Sequence, residues 1–177
     1  YIKYKAYLST ADVSYTPALN DVSVSFTDNN AADSVISDVS DNPFTINHAA
    51  ITVADVEPLS KVVGIMGNAD VSFTSVNPIP ADGKIVITFP AGFTLNSGGA
   101  TAASSSTMDG ALSVSTSGQV LTITRSGGQQ QAGGESEVIT LTKIKNPNDN
   151  GTTGTYTLET QTSAGKGIDK IDSIAAD

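Results

Sequence analysis

Lys84-Ile85-Val86-Ile87-Thr88-Phe89, closed by Pro90, is the stretch whose reading decides the fold. Side chains alternate across an extended chain, so Ile85, Ile87 and Phe89 point one way and Val86 and Thr88 the other. Pro90 cannot donate to a strand ladder and ends the run. The same period recurs on both sides. Upstream lie Ile51, Val53 and Val56 before Pro58, then a long run through Val62, Val63, Ile65, Val71, Phe73 and Val76, broken near Gly67-Asn68. Between that run and Lys84, 77–83 is a turn-rich connection.

Downstream, Phe93 and Leu95 act as short anchors, and 97–107 is a small-residue loop or edge strand. Leu112, Val114 and Thr116 alternate, Ser117-Gly118 turns, and 120–124 returns as the second arm of a hairpin. The 127–134 stretch is a Gln/Gly loop, and 138–142 is another strand. A turn cluster at 146–151 precedes a strand over 155–162, and Ile168, Ile171 and Ile174 finish the chain. Strands at this spacing with turns between them predict an all-β protein, an antiparallel two-sheet sandwich of Ig-like or jelly-roll-like build, over 50–177.

Composition agrees. Ser and Thr supply 42 of the 177 residues, and long windows of helix-forming residues are absent. With no Trp, the core must come mainly from Val, Ile, Leu, Phe and Ala. Net charge is −9 with a single Arg, which leaves no clustered cations for a phosphate backbone and argues against nucleic acid as a partner. Disulfides and thiolate metal sites are ruled out by the absence of Cys. No run approaches the roughly 18 apolar residues of a membrane span.

The first 27 residues read as two further strands. Ile2, Tyr4, Ala6 and Leu8 alternate with polar neighbours, as do Val22, Val24 and Phe26. Two strands alone are not stable in water, so this detached pair needs sheet partners. The polar stretch 28–49 then reads as a linker, able to span up to about 70 Å when extended. The chain begins without Met inside a strand-like run, so a processed product or a fragment of a longer protein is expected.

Four segments carry a resemblance: 77–93 (NPIPADGKIVITFPAGF), 121–126 (LTITRS), 139–147 (ITLTKIKNP) and 151–160 (GTTGTYTLET). Together they resemble a β-sandwich module repeated in large secreted and cell-surface proteins of microbes, adhesin-like or fibre-like. Residues 1–27 (YIKYKAYLSTADVSYTPALNDVSVSFT) resemble the last two strands of a lectin-like jelly-roll domain. The resemblance implies an extracellular or cell-surface location and no catalytic residues.

Two roles follow as expectations. In the first, the chain is a structural subunit or module of a fibre. Its N-terminal strands complete the sheet of the next copy in a head-to-tail polymer, through Ile2, Tyr4, Ala6, Leu8, Val22, Val24 and Phe26. In the second, it is an adhesin or carbohydrate-binding fragment, with Tyr1, Tyr4, Tyr7 and Tyr15 as the aromatics to test.

Catalytic chemistry is not expected. His48 is the only histidine, there is no Cys, and no HExxH spacing occurs. The four glutamates, Glu57, Glu135, Glu137 and Glu159, form no evident pair, and Glu135 and Glu137 read as solvated beside the glycine-rich loop. That loop lacks the spacing of a phosphate cradle. No cofactor is implied apart from calcium, which takes about six to eight oxygen ligands, often from loop Asp, Asn and carbonyl groups. The candidates are Asp38, Asp41, Asn148, Asp149 and Asn150, although no cluster matches the DxDxDG loop with its distal Glu. Asn150-Gly151-Thr152 is an N-glycosylation acceptor, and the Ser/Thr run 101–107 is a candidate for O-linked sugars.

Overall fold

Alternation of large apolar and small polar residues produces ten strands and no helix in the computed structural model, which describes residues 47–175. In chain order they are β1 (Ala49–Ala50), β2 (Thr52–Pro58), β3 (Met66–Thr74), β4 (Lys84–Thr88) and β5 (Ala103–Ser105). Then come β6 (Ala111–Ser117), β7 (Val120–Ser126), β8 (Ser136–Lys145), β9 (Tyr156–Gln161) and β10 (Gly167–Ile174). Six strands form one sheet in the order β1-β10-β9-β4-β7-β6, and four form the other, β2-β3-β8-β5. All pairings are antiparallel except the short β1–β10 contact. The all-β two-sheet expectation therefore holds for the described residues. The expected strand pair 1–27 and nearly all of the linker 28–49 lie outside them, although Ala49 is already in β1.

The strand at Lys84 is central, as its composition demands. β4 pairs with β7 on one side and β9 on the other, and Ile85 and Ile87 are fully buried. With Leu121, Ile123 and Leu158 they face Val71, Phe73, Ile139 and Leu141 of the second sheet. Each such side chain contributes about 1.5–3 kcal/mol relative to exposure. Phe89, Phe93 and Tyr156 close one end of this core with ring centroids 5.3–5.7 Å apart, in edge-on and tilted contacts.

The chain enters beside β10, then leaves that sheet at Ile51, whose N–H donates to the Lys170 carbonyl. Val53 adopts φ 49°, an unusual conformation for a β-branched residue, within a register shift between Thr52 and Asp55. The crossing itself falls at Ile51, because Thr52 already pairs with Thr74 of the second sheet.

One expected strand is not there. Val62, Val63 and Ile65 do not extend β3; they form the turn between β2 and β3. Gly64 sits at φ 65° and donates its N–H to the Pro147 carbonyl. The Asn146 side-chain amide donates to the carbonyls of Ser60 and Val62. These bonds override the strand preference of the valines.

A buried carboxylate joins the two sheets at the opposite end. Asp169 of β10 is fully buried and accepts the N–H groups of Val76 and Asn77, each at 2.9 Å, and the Asn77 side-chain amide at 2.7 Å. Its own N–H donates to Thr160 Oγ1 at 3.1 Å. No helix among the described residues is long and apolar enough to cross a membrane.

Asp169→Ala removes three charge-assisted bonds and strands their donors, so urea denaturation is expected to show a loss of about 3 kcal/mol. Asp169→Asn, which retains one acceptor, should lose roughly half as much. A loss below about 1 kcal/mol for the alanine variant contradicts this role of Asp169.

Candidate functional site

The described residues present three kinds of surface: sheet edges, an apolar pole at the β2–β3 turn and a polar pole where the chain enters at Asn47. Register separates the poles. At the entry pole, β4 begins at Lys84 beside Gln161, and Ser136 pairs with Thr74. At the apolar pole Met66 pairs with Lys145, and β9 begins at Tyr156.

The edges differ sharply in protection. β1 has two residues and β5 three, and short edges template poorly. β2 carries a register shift, Asp55, Glu57 and a terminal Pro58, all of which discourage pairing. β6 has none of these. Its seven residues, Ala-Leu-Ser-Val-Ser-Thr-Ser, carry no charge and pair with β7 throughout without a shift. Nothing lies beyond β6 in its sheet among the described residues. Leu112 and Val114 turn toward the core while Ser113 and Ser115 face solvent.

The apolar pole holds a cleft of about 320 Å³ between the β2–β3 turn and the 146–153 loop. Phe93 and Tyr156 form its floor, with Lys61 and Val63 on one wall and Asp149 and Asn150 on the other. Val63 lines it, and Leu59, Val62, Ile65 and Met66 of the same turn segment are, like Val63, 46–63% exposed. Lys61 pairs with Glu57 at 3.2 Å. Burial, with Glu57 and Asp55 close by, pushes the Tyr156 phenol up to about 12.

Buried polar groups gather at the entry pole. Arg125, the only arginine, is fully buried and donates to the carbonyls of Ile79, Pro80 and Gln129, with Asp109 Oδ1 at 3.5 Å. Five donors in a rigid fork let one side chain hold three loop carbonyls. Glu137 is also fully buried, contrary to the solvated position expected from its glycine-rich neighbours. Strand β8 begins at Ser136 and turns Glu137 inward, where Oε2 accepts the Thr107 hydroxyl at 2.6 Å. Glu135 remains exposed. Alternation could have found both, since Arg125 shares the face of Leu121 and Ile123, and Glu137 that of Ile139 and Leu141.

The other candidates are dispersed. His48 Nε2 lies 4.0 Å from Glu159 Oε1 on the surface. Asn148, Asp149 and Asn150 are exposed in one loop, but no group of three or more His, Cys, Asp or Glu is placed to hold a metal among the described residues. Asp38 and Asp41 lie outside those residues, as do Ile2, Tyr4, Ala6, Leu8, Val22, Val24 and Phe26. The acceptor Asn150 is exposed at the rim of the cleft. In the Ser/Thr run, Ser104 and Ser106 are exposed, whereas Thr101 is buried against Asn96 and Thr107 is committed to Glu137.

No protein-family model matches the chain, and no curated protein matches it.

The folded protein holds the Tyr156 proton more tightly than the unfolded chain, whose phenol titrates near 10. This contribution to stability is complete below pH 10 and is lost as pH rises from 10 toward 12. Ultraviolet titration should show one late phenolate, absent from Tyr156→Phe. A full phenolate signal near pH 10 in the folded state contradicts the shift.

Proposed function

We propose that this chain is a structural module of an extracellular fibre or cell-surface protein, in which one copy adds strands to the sheet of the next. The observation that carries the reading is the β6 edge, uncharged and free of bulges, to which the preceding loop is hydrogen-bonded only through Asn96 at Thr116 among the described residues. Long uncharged edges are a template for strand pairing, and proteins that stay monomeric usually blunt them with Lys, Pro or a bulge. Backbone hydrogen bonds supply the affinity of an added strand, and alternate side chains set its register. The alternating segments within 1–27 are the donors in this reading, through Ile2, Tyr4, Ala6 and Leu8 or through Val22, Val24 and Phe26. Contact between two different surfaces of identical chains propagates into an open filament when it does not close. The role assigned is mechanical, with no catalytic step.

A carbohydrate-binding role has weaker support from this domain. Phe73, Phe89, Phe93 and Tyr156 are all buried, leaving no described aromatic ring exposed for a sugar to stack against.

Electron microscopy and light scattering of the 177-residue chain test the proposal against two variants. One lacks residues 1–27; the other carries Ser113→Lys and Ser115→Lys on the solvent face of β6. The intact chain is expected to form filaments or oligomers, and both variants to remain folded monomers. Monomers from all three, or assemblies of equal length from all three, reject strand addition at β6.

A further inference from the structure

We infer that Asn150, at the rim of the cleft, is a self-modifying residue whose side-chain amide is consumed by the backbone nitrogen of Gly151. The products are aspartate and isoaspartate, formed without an enzyme. They arise in the single folded chain, whatever that chain assembles into.

The chemistry begins with the order of two residues. When the Gly151 amide loses its proton, its nitrogen attacks Asn150 Cγ. The new bond closes a five-membered succinimide ring, the bond from Cγ to the side-chain nitrogen breaks, and that nitrogen leaves as ammonia. Water then opens the ring. Breaking the bond to Cγ leaves aspartate; breaking the bond to the main-chain carbonyl routes the chain through the former side chain and leaves isoaspartate. Attack by a tethered neighbour needs no encounter, which is why this ring closure outruns hydrolysis by solvent. Glycine obstructs it least, having no Cβ and a freely turning backbone. Asn150 is the only asparagine followed by glycine, whereas Asn42, Asn77 and Asn146 precede proline, whose nitrogen has no proton to lose.

The fold decides which such step stays open. Glycine follows Asp or Asn at 82–83, 109–110 and 150–151, and aspartate can close the same ring with loss of water. At the first step Gly83 is buried, and its N–H donates to the Pro80 carbonyl at 2.9 Å. At the second, both carboxylate oxygens of Asp109 accept the Gln129 N–H at 3.0 Å, with Arg125 Nη2 at 3.5 Å from Oδ1. Gly110 packs against the backbone of Gly127. A carboxylate held this way is not free to swing onto the next nitrogen. At the third, Asn150 and Gly151 are both exposed and outside any strand. Neither the Asn150 side chain nor the Gly151 N–H has a hydrogen-bond partner among the described residues. A Cβ built on Gly151 would meet nothing within 4 Å, so the ring has room to form.

The change alters the cleft. It adds one negative charge to a chain of net −9, on the wall that already bears Asp149 and across from Lys61. Isoaspartate also lengthens the backbone by one methylene in the loop that holds the β2–β3 turn through Asn146 and Pro147. Asn150 is the amide that an N-linked sugar requires, so ring closure and glycosylation exclude each other at this residue.

Peptide mass mapping of the 177-residue chain, incubated folded and in guanidinium chloride at mildly alkaline pH, provides the test. The folded chain is expected to gain about one dalton on the peptide containing Asn150, part of it labelled by an isoaspartyl methyltransferase. Asn68, Asn96 and Asn148 should be lost at least roughly tenfold more slowly, and the Asn150 rate should lie within about threefold of that in the unfolded chain. Asp82 and Asp109 should yield isoaspartate only when unfolded. Asn150→Gln, which would have to close a six-membered ring, should show no gain over the same period. Three results overturn the inference: Asn150 kept in the folded chain but lost in the unfolded one, Asn150 kept in both, or conversion to aspartate without isoaspartate, which means direct hydrolysis.

Discussion

Face-to-face burial of two alternating surfaces governs everything else in this protein. Ile85, Ile87, Leu121, Ile123 and Leu158 from one sheet meet Val71, Phe73, Ile139 and Leu141 from the other, and none retains measurable exposure. With no Trp and no Cys in the chain, this burial is the main source of stability among the described residues. A sandwich made this way satisfies its two inner faces but not its edges or its ends. The surfaces left for interaction are therefore decided by how each edge and each pole is finished.

The two ends are finished by opposite chemistry. At the entry pole, Asp169, Arg125 and Glu137 are buried among loop backbone groups, and the first two are richly hydrogen-bonded. Such groups are costly to bury unless paired, so they fix the loops they bind in one arrangement. At the other end, the polar work is done by Asn146 and the backbone, and the valines of the turn are pushed outward. The two ends therefore differ: buried charged groups at one, exposed apolar side chains of a turn at the other.

The β6 edge is the surface on which the proposed assembly depends. An edge can take up a strand from any chain with a suitable alternating pattern, since backbone pairing is largely indifferent to sequence. Selectivity then has to come from side chains. Leu112 and Val114, turned inward, and Ser113 and Ser115, turned outward, provide it by favouring one register for an added strand.

The sequence by itself determined the class of fold, because side-chain alternation is a local property and an alternating run can bury only one face. KIVITF at 84–89, the hairpin around Ser117-Gly118 and the turn cluster at 146–151 were all legible for that reason. What it could not decide was which alternating runs would pair. Val62, Val63 and Ile65 have the composition of a strand, yet Gly64 and the distant Asn146 hold them in a turn, and that contact spans more than eighty residues. Glu137 differs: beside glycines in the sequence, it keeps the alternation of Ile139 and Leu141 and turns inward with them. Strand order, and with it the identity of β6 as the open edge, comes from pairings far apart along the chain. Those pairings are chosen by the joint packing of both sheets, a constraint that no short window of residues contains.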